Sequence, residues 1–114
     1  LEHRGRWWLT QRPQTGVWAG LWCLAVLDDA GSLAAATRGW PCEGEALPVV
    51  EHALTHFDWT LRPVFWRWPA RAKAPGPAQL SSLGEGRWFS PQEALGAGLP
   101  APVRRLFEAA ARDA

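Results

Sequence analysis

Residues 47–65 read LPVVEHALTHFDWTLRPVF, and the fold turns on how they are read. Val49-Val50 leads through Ala53-Leu54 to a polar centre at Thr55-His56, after which Phe57, Trp59, Leu61 and Phe65 alternate with Asp58, Thr60 and Arg62. Alternation with a period of two suits a half-buried strand, so the stretch predicts a β-hairpin, running on to residue 68, with its tip near Thr55-His56. Pro63 has no N–H to give a ladder, so the second strand should be bulged or at an edge there.

Working outward, residues 6–12 (RWWLTQR) predict a first strand with Trp7 and Leu9 on one side and Trp8 and Thr10 on the other, ended by Pro13. Pro13-Gln14-Thr15-Gly16 is a turn. Residues 18–22 (WAGLW) form an irregular stretch, and residues 23–27 a short apolar strand closed by Asp28-Asp29-Ala30-Gly31. Ser32 is placed to cap a short helix over residues 33–37, which Gly39 and Pro41 would end. Downstream, Pro69, Pro75, Gly76, Pro77, Gly84 and Gly86 predict a long loop over residues 69–86, the most mobile part of the chain. Residues 86–89 (GRWF) read as a last strand, and Ser90-Pro91-Gln92-Glu93 as a capping box with proline at the first helical position, opening a helix of one or two turns. A final helix should start at Pro102, with Val103, Leu106, Phe107 and Ala110 forming one apolar stripe against the sheet and Arg104, Arg105 and Arg112 on the solvated side. This order predicts an α+β fold: a mixed or antiparallel sheet flanked by helices, with the C-terminal helix packed on the sheet.

A chain of 114 residues with 47% apolar content predicts one domain over residues 1–114 with a sizeable core. The absence of Met predicts a fragment or a processed product. No apolar run approaches the roughly 18 residues of a membrane span, so no membrane partner is expected. Cys23 and Cys42 form no CxxC and have no His pair nearby, which excludes a zinc or iron–sulfur site built on them and predicts reduced thiols and a cytoplasmic location. Nine Trp residues stand with no Tyr, and of 12 basic residues only Lys73 is not Arg, a combination suited to cores, interfaces and nucleic-acid surfaces. The net charge is +1, but it is unevenly spread: +2 over residues 1–22, −5 over 23–58, +4 over 59–88 and 0 over 89–114. Such separation lets a nearly neutral chain present one face to a polyanion.

The chain by itself reads as non-catalytic. It has no GxSxG elbow, HExxH or phosphate-binding glycine loop. Glu43, Glu45 and Glu51 lie on an interrupted stretch rather than on one helix, so no metal site is expected.

Three blocks stand out: residues 11–22 (QRPQTGVWAGLW), residues 54–57 (LTHF) and residues 86–89 (GRWF), with residues 98–106 (GLPAPVRRL) as a fourth. In order and spacing they resemble the C-terminal domain of MutY-type adenine DNA glycosylases, whose pattern QRPxxGxWxGLW, Phe-Ser-His-Phe tip and GLAAPVxRLL helix they match over residues 5–108. The resemblance implies a Nudix-like fold. It also implies a function: recognition of 8-oxoguanine opposite adenine in duplex DNA. Adenine excision falls to a separate N-terminal catalytic domain that carries a helix-hairpin-helix and a 4Fe-4S cluster, so no cofactor is expected in this domain. Nudix hydrolases bind Mg²⁺ through Arg-Glu-x-x-Glu-Glu, whereas the matching residues 33–38 here read LAAATR.

Guanine offers a bare N7 acceptor, while 8-oxoguanine has an N7–H donor and an O8 acceptor. A hydroxyl can read that reversal. Thr55 aligns with the family's serine and is the first candidate for the lesion contact. His56 aligns with its histidine and would donate to a phosphate or brace the tip, and Leu54 stands where the family has Phe. His52 is expected to point away from DNA. Arg12, Arg62, Arg67, Arg71, Lys73 and Arg87 are candidates for the DNA backbone, because guanidinium and ammonium groups hold phosphate oxygens without reading sequence. Trp7, Trp22, Trp59 and Trp88 should mostly fill core, with Trp66 and Trp68 the most exposed. Two other readings remain: a Nudix-type hydrolase of oxidised nucleotides such as 8-oxo-dGTP, revived by Mg²⁺-dependent pyrophosphate release, and a Trp-rich protein-interaction module, revealed by partner binding insensitive to salt and DNA.

Overall fold

The computed structural model describes residues 1–54 and 58–112. Along them run β1 (Glu2–His3), β2 (Arg6–Gln11), β3 (Trp22–Leu24), α1 (Ala30–Ala36), β4 (Glu45–Ala46), β5 (Val50–Ala53), β6 (Asp58–Leu61), β7 (Val64–Phe65), α2 (Pro77–Ser81), β8 (Gly86–Phe89), α3 (Pro91–Gly96) and α4 (Ala101–Arg112).

The central strand is β2. One of its edges pairs antiparallel with β8, in the register Trp7↔Phe89 to Thr10↔Gly86. Its other edge is shared end to end by β1, at Glu2↔Trp7, and β3, at Leu9↔Leu24 to Gln11↔Trp22. That sharing explains why the third strand is Trp22–Leu24 rather than residues 23–27: beyond Leu24 the edge already belongs to β1. Glu2 in turn bridges in parallel to Arg67, its N–H donating to the Trp66 carbonyl (2.9 Å) while Trp68 N–H donates to its own (2.8 Å), so antiparallel and parallel pairing meet at β1. Gly86 sits so close to β2 that a Cβ there would collide with the Leu9 carbonyl oxygen.

Alternation along β2 places Trp7 and Leu9 in the core with Phe89, Ala94, Leu99, Val103 and Phe107. Trp7 meets Phe107 of α4 edge-on at 5.0 Å and Phe65 at 5.3 Å. The helix begins at Ala101, one residue before Pro102; Val103 and Phe107 are buried, Leu106 and Ala110 half-buried, and Arg104 and Arg105 exposed. Among the described residues no helix is long and apolar enough to cross a membrane.

Several expectations need correction. The cap of α1 is Asp29, not Ser32: its carboxylate accepts from Ser32 N–H (2.7 Å), and an anion at a helix N-terminus is favoured by the unpaired N–H groups there. The stretch over residues 69–86 is not all loop, because Pro77 opens α2, the Gln79 side chain accepts from Gly76 N–H (2.7 Å), and Leu80 is buried. The strand expected to run on to residue 68 stops at Leu61. After Arg62-Pro63 the chain changes partner, and β7 pairs with β4 through Glu45↔Phe65 and Ala46↔Val64. Trp68 is buried rather than exposed, its indole N–H donating to the Lys73 carbonyl (2.9 Å) and its ring 5.5 Å from Trp40. Trp22, Trp59 and Trp88 are half-buried, as is Trp66. The capping box at Ser90 forms as expected, with Glu93 N–H donating to its hydroxyl (3.2 Å) and its own N–H donating to the Glu93 carboxylate (2.9 Å). The Ser90 backbone N–H, and with it the Ser90 hydroxyl, favours the ionised acid, and the Glu93 carboxyl lies below its ordinary range.

Candidate functional site

The hairpin joins β5 and β6 in the register Val50↔Leu61, Glu51↔Thr60, His52↔Trp59 and Ala53↔Asp58. Burial alternates along both strands. Val50, His52, Trp59 and Leu61 are half-buried, while Glu51, Ala53, Asp58 and Thr60 are exposed. One face is therefore solvated and acidic, through Glu51 and Asp58, and the other is apolar and turned to the body. The Ala53↔Asp58 pair leaves residues 54–57 to connect the strands. Leu54 is half-buried; Thr55 and His56 lie outside the described residues.

The segment that covers the inner face is residues 12–21, part of the first motif block. Arg12 N–H donates to the Leu21 carbonyl (2.8 Å), Gly20 N–H to Pro13 (2.9 Å) and Leu21 N–H to Trp18 (3.1 Å), closing the loop on itself. From outside, the Gln11 side-chain amide donates to the Gly20 carbonyl (2.9 Å). Gly16 and Gly20 take positive φ (92° and 72°), as turns of this kind require. Trp18 does so as well, at φ 54°, although a bulky side chain disfavours that region by about 1–3 kcal/mol.

That conformation carries the Trp18 indole to 5.0 Å from Trp59 and 5.5 Å from His52, a cross-strand pair. The Arg12 guanidinium lies 5.8 Å from the centre of the Trp59 ring, and its Nε–H donates to the Val17 carbonyl (3.4 Å). The pattern G-x-W-x-G over residues 16–20 is the signal that marks Trp18; a purely compositional view of tryptophan does not find it.

The basic candidates fall into different places. Arg12 belongs to the aromatic cluster at the hairpin. Arg87 is exposed and stacks over Trp22 and Phe89, 5.0 and 4.7 Å from their centres. Arg67 pairs with the buried Glu2 carboxylate (3.2 Å) and lies over Phe65. Arg71 and Lys73 are exposed in the stretch that lies by Arg4, whose Nε–H donates to the Ala70 carbonyl (2.7 Å), and Arg62 is exposed just past β6. His52 faces inward, against Trp18. The two thiols are free, Cys23 buried and Cys42 half-buried.

The NUDIX domain family matches residues 1–109, nearly the whole chain, and the chain belongs to that family. A divalent ion of the kind Nudix hydrolases use needs a set of carboxylates. Helix α1 offers none, since its residues read AGSLAAA, and among the described residues no group of three or more His, Cys, Asp or Glu side chains could hold a metal ion. The described residues do not fit that ion.

Proposed function

We propose that this NUDIX-family chain reads 8-oxoguanine opposite adenine in duplex DNA, as the lesion-recognition part of an adenine DNA glycosylase in base excision repair. Excision itself would fall to a separate N-terminal glycosylase domain. The observation that carries the reading is the seating of Trp18 on the His52–Trp59 pair. Through this contact the first block of the glycosylase pattern, residues 11–22, meets the two strands that flank the second, residues 54–57.

In this reading the chemistry lies in the four-residue connection of the hairpin. The Thr55 hydroxyl accepts from N7–H of 8-oxoguanine and donates to O8, whereas unmodified guanine presents neither partner in that sense. A carboxylate would accept from N7–H but be repelled by O8; a hydroxyl serves both. Phosphate contacts from Arg12 and the exposed cations hold register without reading the base. The chain performs no bond cleavage of its own: it places the duplex so that the partner domain hydrolyses the N-glycosidic bond of the flipped adenine.

The test is Thr55→Ala in the glycosylase joined to its catalytic domain. The preference for 8-oxoguanine:adenine over guanine:adenine should fall by roughly 1–2 kcal/mol, the worth of one polar contact. An unchanged ratio in single-turnover kinetics would falsify the role of the hydroxyl.

A further inference from the structure

Among the described strands β5 and β6 pair only with each other, so no backbone ladder ties the hairpin to the sheet built on β2. Beyond the backbone tie at its foot, where Leu47 N–H donates to the Pro63 carbonyl (3.0 Å), its angle to that sheet is set by side-chain packing. The contact best suited to set it is Trp18, because one indole touches both strands at a single cross-strand pair, His52 on β5 and Trp59 on β6. The base that holds this indole is firm. Its loop is closed by three backbone hydrogen bonds and by the Gln11 amide, and Gln11 ends β2, the central strand, with Arg12 following directly. A left-handed backbone at a tryptophan persists only where its surroundings demand it.

We propose that Trp18 is a positioning residue, a wedge that transmits the orientation of the central sheet to β5 and β6, the strands joined by the connection over residues 54–57. The inference rests on the reading of that connection as the lesion contact. Arg12, stacked on the far partner Trp59, is the second anchor of the same wedge. Trp18 acts through His52 and Trp59 and needs no contact with DNA.

The test uses the 114-residue chain with Trp18→Ala and Trp18→Phe, read by amide hydrogen exchange and by binding to 8-oxoguanine:adenine and guanine:adenine duplexes. In Trp18→Ala, exchange over Val50–Ala53 and Asp58–Leu61 should quicken by about tenfold while β2 and β8 keep their protection, since local opening is being read. The preference between duplexes should fall about fivefold or more, and Trp18→Phe, which keeps a ring, should recover most of both effects. Unchanged exchange in the hairpin, or equal quickening in β2 and β8, would overturn the wedge. Quickened exchange with an undiminished preference would overturn the positioning role. A parent chain with no preference between the duplexes would sink the lesion reading instead, and the exchange measurement would still decide whether Trp18 holds the hairpin.

Discussion

Arg67 is exposed and basic, and by sequence it ranks with the other candidates for the DNA backbone, yet the structure gives it a partner inside the protein. Its Nε–H donates to Glu2 Oε2 at 3.2 Å, while Glu2 Oε1 accepts from Gly5 N–H at 2.7 Å. The carboxylate side chain is 8% exposed and the guanidinium 50%. In Arg67→Ala the acid stays where it is, because Glu2 also holds β1 to residues 66–68 through its backbone, and Oε2 loses its donor. A fully buried pair broken on one side costs about 3–5 kcal/mol, and an exposed one under about 1 kcal/mol. With one half of the pair in water, the expected loss is about 1–2 kcal/mol. That corresponds to a fall in Tm of roughly 4–10 °C for a chain of this size. The assay is a double-mutant cycle in urea with Glu2→Gln, which removes the buried charge and keeps the shape. Arg67→Ala should cost about 1 kcal/mol less in the Glu2→Gln background than in the parent. Equal costs in the two backgrounds would refute the pairing as the reason for Arg67.

Arg87 gives the opposite expectation: stacked but exposed, it is free to take a phosphate, so Arg87→Gln should lower the slope of log K against log salt by about 0.9, roughly a threefold to fourfold effect between 50 and 200 mM salt in a fluorescence anisotropy titration. An unchanged slope would remove it from the backbone contacts. Burial pushes the Cys23 thiol up to about 11 from its ordinary 9.0. Between those values the unfolded chain gives up a proton that the folded chain keeps. Stability should therefore be full below pH 9 and decline from pH 9 to 11, and in Cys23→Ala this part of the alkaline loss should disappear from urea midpoints measured across that range.

Much of the architecture was legible because it depends on local chemistry. The alternation of residues 6–11 places Trp7 and Leu9 in the core, and the Ser90–Glu93 box and the stripe of α4 are fixed by period and capping. What sequence missed depends on competition between elements. Nothing in residues 22–27 says that β1 will occupy the edge that β3 would need, and nothing around Pro63 says that the chain will leave one ladder for another. Trp68 looked exposed because prolines and glycines follow it, but the same stretch folds back and supplies the Lys73 carbonyl that satisfies its indole. At the site, sequence named Arg12 and the hairpin; the wedge between them escaped it, because Trp18 is brought to His52 by a backbone conformation that tryptophan rarely adopts.

Charge on the hairpin then limits how a duplex can reach it. The solvated face presents Glu51 and Asp58, and a phosphate approaching within a Debye length of about 8–10 Å would be repelled there. The opposite face is closed by Trp18. What remains is an approach onto the end of the hairpin, flanked on the Trp18 side by Arg12. Under the proposed reading this restriction is useful: a hairpin that is unattractive along its length and anchored at the His52–Trp59 pair, one pair short of the connection, offers a duplex only its connecting residues, where one hydroxyl decides between guanine and its oxidised form. Replacing the exposed acids, as in Glu51→Gln with Asp58→Asn, should therefore raise affinity for both duplexes and lower the preference between them, because it opens the long face to contacts that do not read the base. If those substitutions raised affinity and left the preference intact, the acidic face would not be limiting the approach.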